Sequence, residues 1–211
     1  MILEMSDELM HPDDFVQQIT REVDQYAARE GYPEIWKNLI ETSNDDEIDQ
    51  IINHRLIKGF HQELYIRDVA AKLMAMAPSL KAQQALVKQV EDENKHAIWV
   101  LSQLQRRGVP IEKAKPSIHI QTMWDGFFGM TRHPGNFFVV LSSLQLVAER
   151  AFGLQSTYAF ALAIADKDPE VSHLYLDKIR RDEIFHTVNL PETIIRNHAT
   201  TIEAQNDVRL G

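Results

Sequence analysis

Apolar side chains recur in steps of three and four along most of the chain, the spacing that puts one face of a helix against a core. One stripe runs Ile52, Leu56, Gly59, Glu63, Ile66, Ala70, Leu73, and a second runs Leu86, Val90, Glu93, Ala97, Val100, Leu104. No stretch alternates as a strand would. Turn residues gather at Gly31 to Pro33, Ser43 to Asp46, Pro78-Ser79, Gly108 to Pro116, His133 to Asn136 and Asp166 to Pro169, which punctuate the helical pattern. The spacing therefore predicts two shorter helices over 12–30 and 33–42. Four long ones follow over 45–77, 79–107, 137–165 and 169–189, the last kinked or interrupted by Pro191 and continuing toward 205. The connection 109–136 holds a short helix around "IQTMWDGFFGM". The segment 137–165 carries only two charges, Glu149 and Arg150; a helix so apolar on all sides is wrapped by others. The fold class is all-α, one domain over 1–211. An N-terminal helical extension spans 1–44, a first helix pair 45–107, a crossover 109–136 and a second pair 137–205.

Each long helix places a glutamate where a core wants an aliphatic side chain: Glu63, Glu93, Glu149 and Glu183. Their heights can be compared by counting. Glu63 and Glu93 each lie 15 residues from Pro78, so an antiparallel hairpin brings them level, ~22 Å from the turn. Taking the second turn at Lys167, Glu149 is 18 residues back, and Glu183 and His186 are 16 and 19 residues forward. The 28-residue connection 109–136 is long enough to run back along the helices and let the two levels coincide. Four buried carboxylates repel one another and lose hydration, and a pair of divalent cations compensates both.

The pentad Asp-Glu-x-x-His occurs twice, in "VEDENKH" and "RRDEIFH". In Glu-x-x-His the two side chains share a helix face, so Glu93 with His96 and Glu183 with His186 can each offer an oxygen and a nitrogen to one ion. Asp92 and Asp182 are placed to accept the other ring N–H of a ligating histidine and set its tautomer. His54, His61, His119, His133, His173 and His198 have no such partner spacing, and Tyr65, Tyr158 and Tyr175 read as packing.

Composition narrows the chemistry. The chain has no cysteine, so strong metal ligands are limited to oxygen and imidazole nitrogen. A formal charge of -9 disfavours a phosphate-tracking surface, and the basic pairs Arg106-Arg107 and Arg180-Arg181 read as solvated helix faces rather than a nucleic-acid site. The acidic N-terminus lacks a signal-peptide pattern and no uninterrupted apolar run reads as a membrane span, which points to a cytoplasmic protein.

The ordered set Glu63, Glu93 with His96, Glu149, Glu183 with His186 resembles the ferritin-like superfamily of di-iron carboxylate proteins, over roughly two-thirds of the chain. The resemblance implies a ferritin-like four-helix bundle with two iron ions (Fe2+/Fe3+), manganese being an alternative occupant, held by those six residues. It also implies that Asp92 meets His186, and Asp182 meets His96, across the bundle. The activity it implies is that of an O2-activating oxygenase or oxidase acting on a small hydrophobic organic molecule. Such an enzyme takes electrons from an external donor, a ferredoxin or reductase, and homodimers are among its assemblies. The alternative is a ferroxidase or iron-handling protein, with a dimanganese catalase behind both. The sequence departs from multicomponent monooxygenases in having Gly153 where they carry a threonine. Gly59 and Gly153 fall one turn from the glutamates on the same side, and with Phe60 and Phe152 they outline a candidate substrate pocket.

Overall fold

The computed structural model describes residues 4–110, 115–116 and 118–211. Part of the predicted crossover, residues 111–114 and 117, lies outside the described residues, as does the side chain of His119. Every regular element among the described residues is helical. Two shorter helices, α1 (Pro12–Arg29) and α2 (Tyr32–Thr42), precede the long α3 (Asp45–Met76) and α4 (Leu80–Arg106). After α5 (Ile118–Met130) come a continuous helix α6 (Pro134–Ala163), a helix α7 over 169–198, and α8 (Ile202–Leu210).

The helix starts are written locally. Asn44 and Glu47 form a reciprocal capping box at α3, and the Ser79 hydroxyl accepts from the Ala82 N–H at α4, satisfying donors that a first turn otherwise leaves unpaired. Gly108 leaves α4 in the left-handed region at φ 69°, where a side chain would be strained. α7 starts at Asp168, whose carboxylate accepts from the Val171 N–H and from both Arg106 and Arg107. That corrects the reading of Arg106-Arg107 as a solvated pair. The Arg107 side chain is 11% exposed and also binds Asp49, because the last turn of α4 packs against the start of α7.

α3 folds back on α4 across the Ala77 to Ser79 turn, and α6 and α7 pack against each other. α1 lies across α6 and the end of α7, burying Phe15, Val16, Ile19 and Val23, while α2 covers the last turns of α6. These layers explain how α6 is accommodated. It is long and apolar enough to cross a membrane by length and composition, yet 56% of its most apolar window is buried inside the protein.

The apolar interior is divided in two. One core includes Leu73, Leu86, Leu141, Leu144 and Leu190, and the other includes Leu56, Val100, Leu104, Phe160 and Ile179. Along α3, α4 and α7 the residues between these cores include Glu63, Glu93 with His96, and Glu183 with His186, and Glu149 of α6 lies at the edge of the first core, so hydrocarbon flanks the polar belt along the helix axes.

α6 and α7 are not uniformly α-helical. The stretches Ser142–Leu154, Leu174–Ile179 and Phe185–Asn189 adopt the wider π form, in which each N–H reaches back five residues, a variant that often accompanies functional side chains. The expected break at Pro191 is absent, and α7 runs on to His198. The π turn is the reason. Leu190 N–H bonds to the Phe185 carbonyl, so the next carbonyl, of His186, faces Pro191, which has no N–H to lose.

Candidate metal centre

The two pentads and the two single glutamates converge in the belt. Glu63 comes from α3, Asp92, Glu93 and His96 from α4, Glu149 from the π stretch of α6, and Asp182, Glu183 and His186 from α7. All are buried except Glu183, which is partly exposed. His96 Nδ1 lies 3.4 Å from Glu63 Oε2, 3.5 Å from Glu93 Oε2 and 3.3 Å from Glu183 Oε1. His186 Nδ1 lies 2.9 Å from Glu93 Oε1 and 3.8 Å from Glu183 Oε1. Two groups of side chains could each hold a metal ion: Glu63, Glu93, His96 and Glu183 in one, Glu93, Glu149 and His186 in the other.

This differs in two respects from a chelating pair per pentad. Glu93 belongs to both groups, and Glu183 joins His96 rather than its own helix neighbour. Glu183 Oε1 is nearer to His96, at 3.3 Å, than to His186, at 3.8 Å.

The far side of each imidazole is held by an aspartate from the opposite helix. His96 Nε2 is 3.3 Å from Asp182 Oδ2, and His186 Nε2 is 3.2 Å from Asp92 Oδ2. An Nε2–H donated to a carboxylate leaves Nδ1 as the ligating nitrogen and raises its basicity. The aspartates are themselves clamped: Lys95 reaches Asp92 at 2.7 Å and Asp182 at 3.0 Å, and Lys88 reaches Asp92. Burial works against the charged form of Asp92, but the hydrogen bonds from His186, Lys88 and Lys95 outweigh it and hold the carboxyl well below its usual range. Both lysines lie one turn from Asp92 on its own helix, a spacing visible in the sequence.

Two further residues were not anticipated. Gln89 and Gln145 are completely buried, and Gln89 Nε2 approaches Glu93 Oε1 at 3.3 Å and Glu149 Oε1 at 3.2 Å. In one amide orientation Gln145 Nε2 donates to Gln89 Oε1 at 2.6 Å; in the other, Gln145 accepts from Gln89 Nε2 at 3.0 Å and donates to the His186 carbonyl at 2.8 Å. That carbonyl is the one left over by Pro191. Each glutamine stands four residues before a cluster glutamate, so their signal was a second polar residue one turn up the same helix.

The electrostatics show what the cluster lacks. Burial pushes the Glu63 and Glu149 carboxyls well above their usual range, with Glu93 adding repulsion to both. Burial disfavours charge on the imidazoles too, but the surrounding carboxylates overcome it and raise both histidines. The group as a whole therefore favours bound positive charge. Yet Glu63 Oε2, Glu93 Oε2, His96 Nδ1 and His186 Nδ1 are buried without a hydrogen bond. They are close enough to attract as charges but misaligned as donor and acceptor. Unpaired buried polar atoms are costly, and atoms that converge on common points without bonding one another fit ions placed between them. A donor set of carboxylate oxygen and imidazole nitrogen suits a divalent metal ion.

A cavity of about 410 Å³ opens beside the cluster, with Glu63, Glu149 and Glu183 on its wall. Phe152 and Gly153 line it, but Gly59 and Phe60 do not, which corrects half of the expected pocket. Gly59 faces α7 instead: a Cβ there would sit 2.9 Å from Tyr175 Oη, so the glycine makes room for that ring. Phe60 packs on the core that contains Leu56. A Cβ on Gly153 would lie 3.1 Å from the Ala148 carbonyl five residues back, a crowding that arises from the π turn. Tyr175 lines the same cavity with its hydroxyl buried and unpaired, pushed up to about 12 chiefly by burial.

Comparison with protein-family models, curated proteins and solved structures finds no match.

Proposed function

We propose that the chain is a ferritin-like four-helix bundle, α3, α4, α6 and α7, that holds two iron ions and oxidises a small organic molecule with O2. The observation that carries this reading is the convergence of four buried, hydrogen-bond-free donor atoms from Glu63, Glu93, His96 and His186. Glu63, Glu93, His96 and Glu183 would hold one ion, and Glu93, Glu149 and His186 the other. When bound, the iron pair supplies O2 reduction at a site the protein keeps apolar. Asp92 and Asp182 fix the imidazole tautomers, and Lys88 and Lys95 keep those aspartates ionised. Gln89 orients Glu149 and Glu93. The cores on either side cover the belt along the helices, and the adjacent cavity positions an organic molecule against the three glutamates on its wall. That cavity favours an oxygenase or oxidase over an iron-handling protein, which requires no such space. Electrons come from a separate reductase or ferredoxin.

The test is elemental analysis of the protein loaded anaerobically with Fe2+, followed by O2 consumption with a chemical reductant. About two irons per chain and O2 uptake that depends on them are expected. A protein that retains no iron after desalting is not a di-iron enzyme.

A further inference from the structure

The cavity beside the cluster has a cationic end. Lys58 and Arg180 line it, and Arg55 stands directly behind its wall, hydrogen-bonded to the lining residues Gln62 at 3.3 Å and Thr157. Among the described residues none of these three cations makes an ion pair. Arg55 is only 7% exposed and its Nε has no partner, while Lys58 is half-buried. Arg180 lies over the ring of Tyr158, 4.3 Å from its centroid, and that ring also lines the cavity. In a chain with 31 acidic against 22 basic residues, three cations at and behind one cavity wall without an ion pair are out of character. Buried or half-buried cations are normally paired.

Position along the helices sets the two ends of the cavity. Lys58 precedes Glu63 by five residues on α3 and Arg180 precedes Glu183 by three on α7, so both lie roughly 5–8 Å along the axis from the cluster on one side. Toward the other side the wall is Ile66, Met123 and Trp124. The glutamates of the candidate metal centre sit between a cationic pole and an apolar one.

We propose that this cavity binds an organic carboxylate, with the acid group between Lys58 and Arg180 and the apolar body passing the glutamates toward Ile66, Met123 and Trp124. The inference rests on the proposed function for what happens to the body of the molecule, but not for recognition of the acid. Arg and Lys together supply the charge-assisted donors that a carboxylate accepts, and a cleft with low-dielectric walls focuses their field. A neutral alcohol or aldehyde leaves the cations unpaired, and an amine is repelled.

The experiment is calorimetric titration of the iron-loaded protein with hexanoate, octanoate and decanoate, each matched by the alcohol and the amine of the same length. At least one acid is expected to bind about tenfold or more tightly than its alcohol, the worth of charged hydrogen bonds discounted for partial exposure. In the Lys58→Gln/Arg180→Gln variant, whose changes lie on half-buried and exposed positions, acid binding should weaken about tenfold with alcohol binding unchanged. Absence of binding by every acid, equal binding of acid and alcohol, or a preference that survives in the variant overturns the proposal. Metal content measured on the same samples separates the two readings. Acid preference that depends on Lys58 and Arg180 in a protein that retains no iron refutes the dimetal assignment alone. Two irons without acid preference refute the carboxylate site alone.

Discussion

Asp168 joins the end of α4 to the start of the helix that carries Glu183 and His186, and its removal should be felt at a calculable size. Its carboxylate, 5% exposed, accepts from Arg106 Nη2 at 2.7 and 2.8 Å, from Arg107 Nη1, and from the Val171 N–H at 3.1 Å. Asp168→Asn keeps an oxygen for the helix cap but loses the charge that both guanidinium groups face. Bonds to charged groups contribute about 1.5–3 kcal/mol. The lower half of that range applies, because Arg106 is 36% exposed and Arg107 keeps Asp49 and Asn53. The expected loss is therefore about 2 kcal/mol for Asp168→Asn and about 3 kcal/mol for Asp168→Ala, the difference being the cap. For a chain of this size these correspond to Tm decreases of about 4–8 °C and about 6–12 °C.

The pH dependence provides a control within the same measurement. Burial raises the Asp168 carboxyl, but the hydrogen bonds from Arg106 and the Val171 N–H outweigh it and hold it below its ordinary value. A depressed carboxyl contributes stability that is present above its unfolded pKa and lost as pH falls through the folded one. Urea titrations of wild type and Asp168→Asn should differ at neutral pH and converge in acid. Equal stability at neutral pH, or a gap that stays constant into acid, refutes the assignment of that stability to the ion pairs.

Glu93→Ala should empty both metal groups, since Glu93 belongs to each, whereas Glu149→Ala should leave about one ion per chain; elemental analysis of both variants decides it, and equal retention counts against a shared ligand. Because the histidines, Glu63 and Glu149 have raised pKa values, binding must displace their protons, so affinity should rise with pH and loading should release at least the two imidazolium protons. A pH-stat titration that records no proton release contradicts this. Gly59→Ala should destabilise by about 1–3 kcal/mol by forcing a Cβ against Tyr175 Oη, and Tyr175→Phe in the same chain should restore most of it; denaturant melts that show no restoration place the strain elsewhere.

The candidate centre was legible in the sequence because a helix is a ruler. Rise per residue varies little, so counting from Pro78 brought Glu63 level with Glu93, counting from Lys167 brought Glu149 level with Glu183, and the long connection 109–136 allowed the two levels to meet. The all-helical class and the limits of the first four helices followed from hydrophobic period and cap chemistry in the same way. Azimuth was harder to read. A stripe of period 3.6 tells that Gly59 faces inward but not whether it meets a cavity or the hydroxyl of Tyr175 from α7, and the pocket reading failed at that choice.

The π turns were beyond counting for a different reason. They exchange backbone partners while leaving side-chain composition unchanged, so no hydrophobic period betrays them. Pro191 was the one visible trace of them. Read by itself it predicts a kink, since an α-helix loses a hydrogen bond there. Within a π turn the bond has already moved: Leu190 N–H bonds to Phe185, and the unpaired carbonyl falls at His186, inside the belt, where one orientation of the Gln145 amide donates to it. Glutamine four residues before Glu149 and proline five residues after His186 thus serve one backbone group. Together they let the helix that presents His186 to Glu93 continue through a position where proline would ordinarily break its hydrogen bonding.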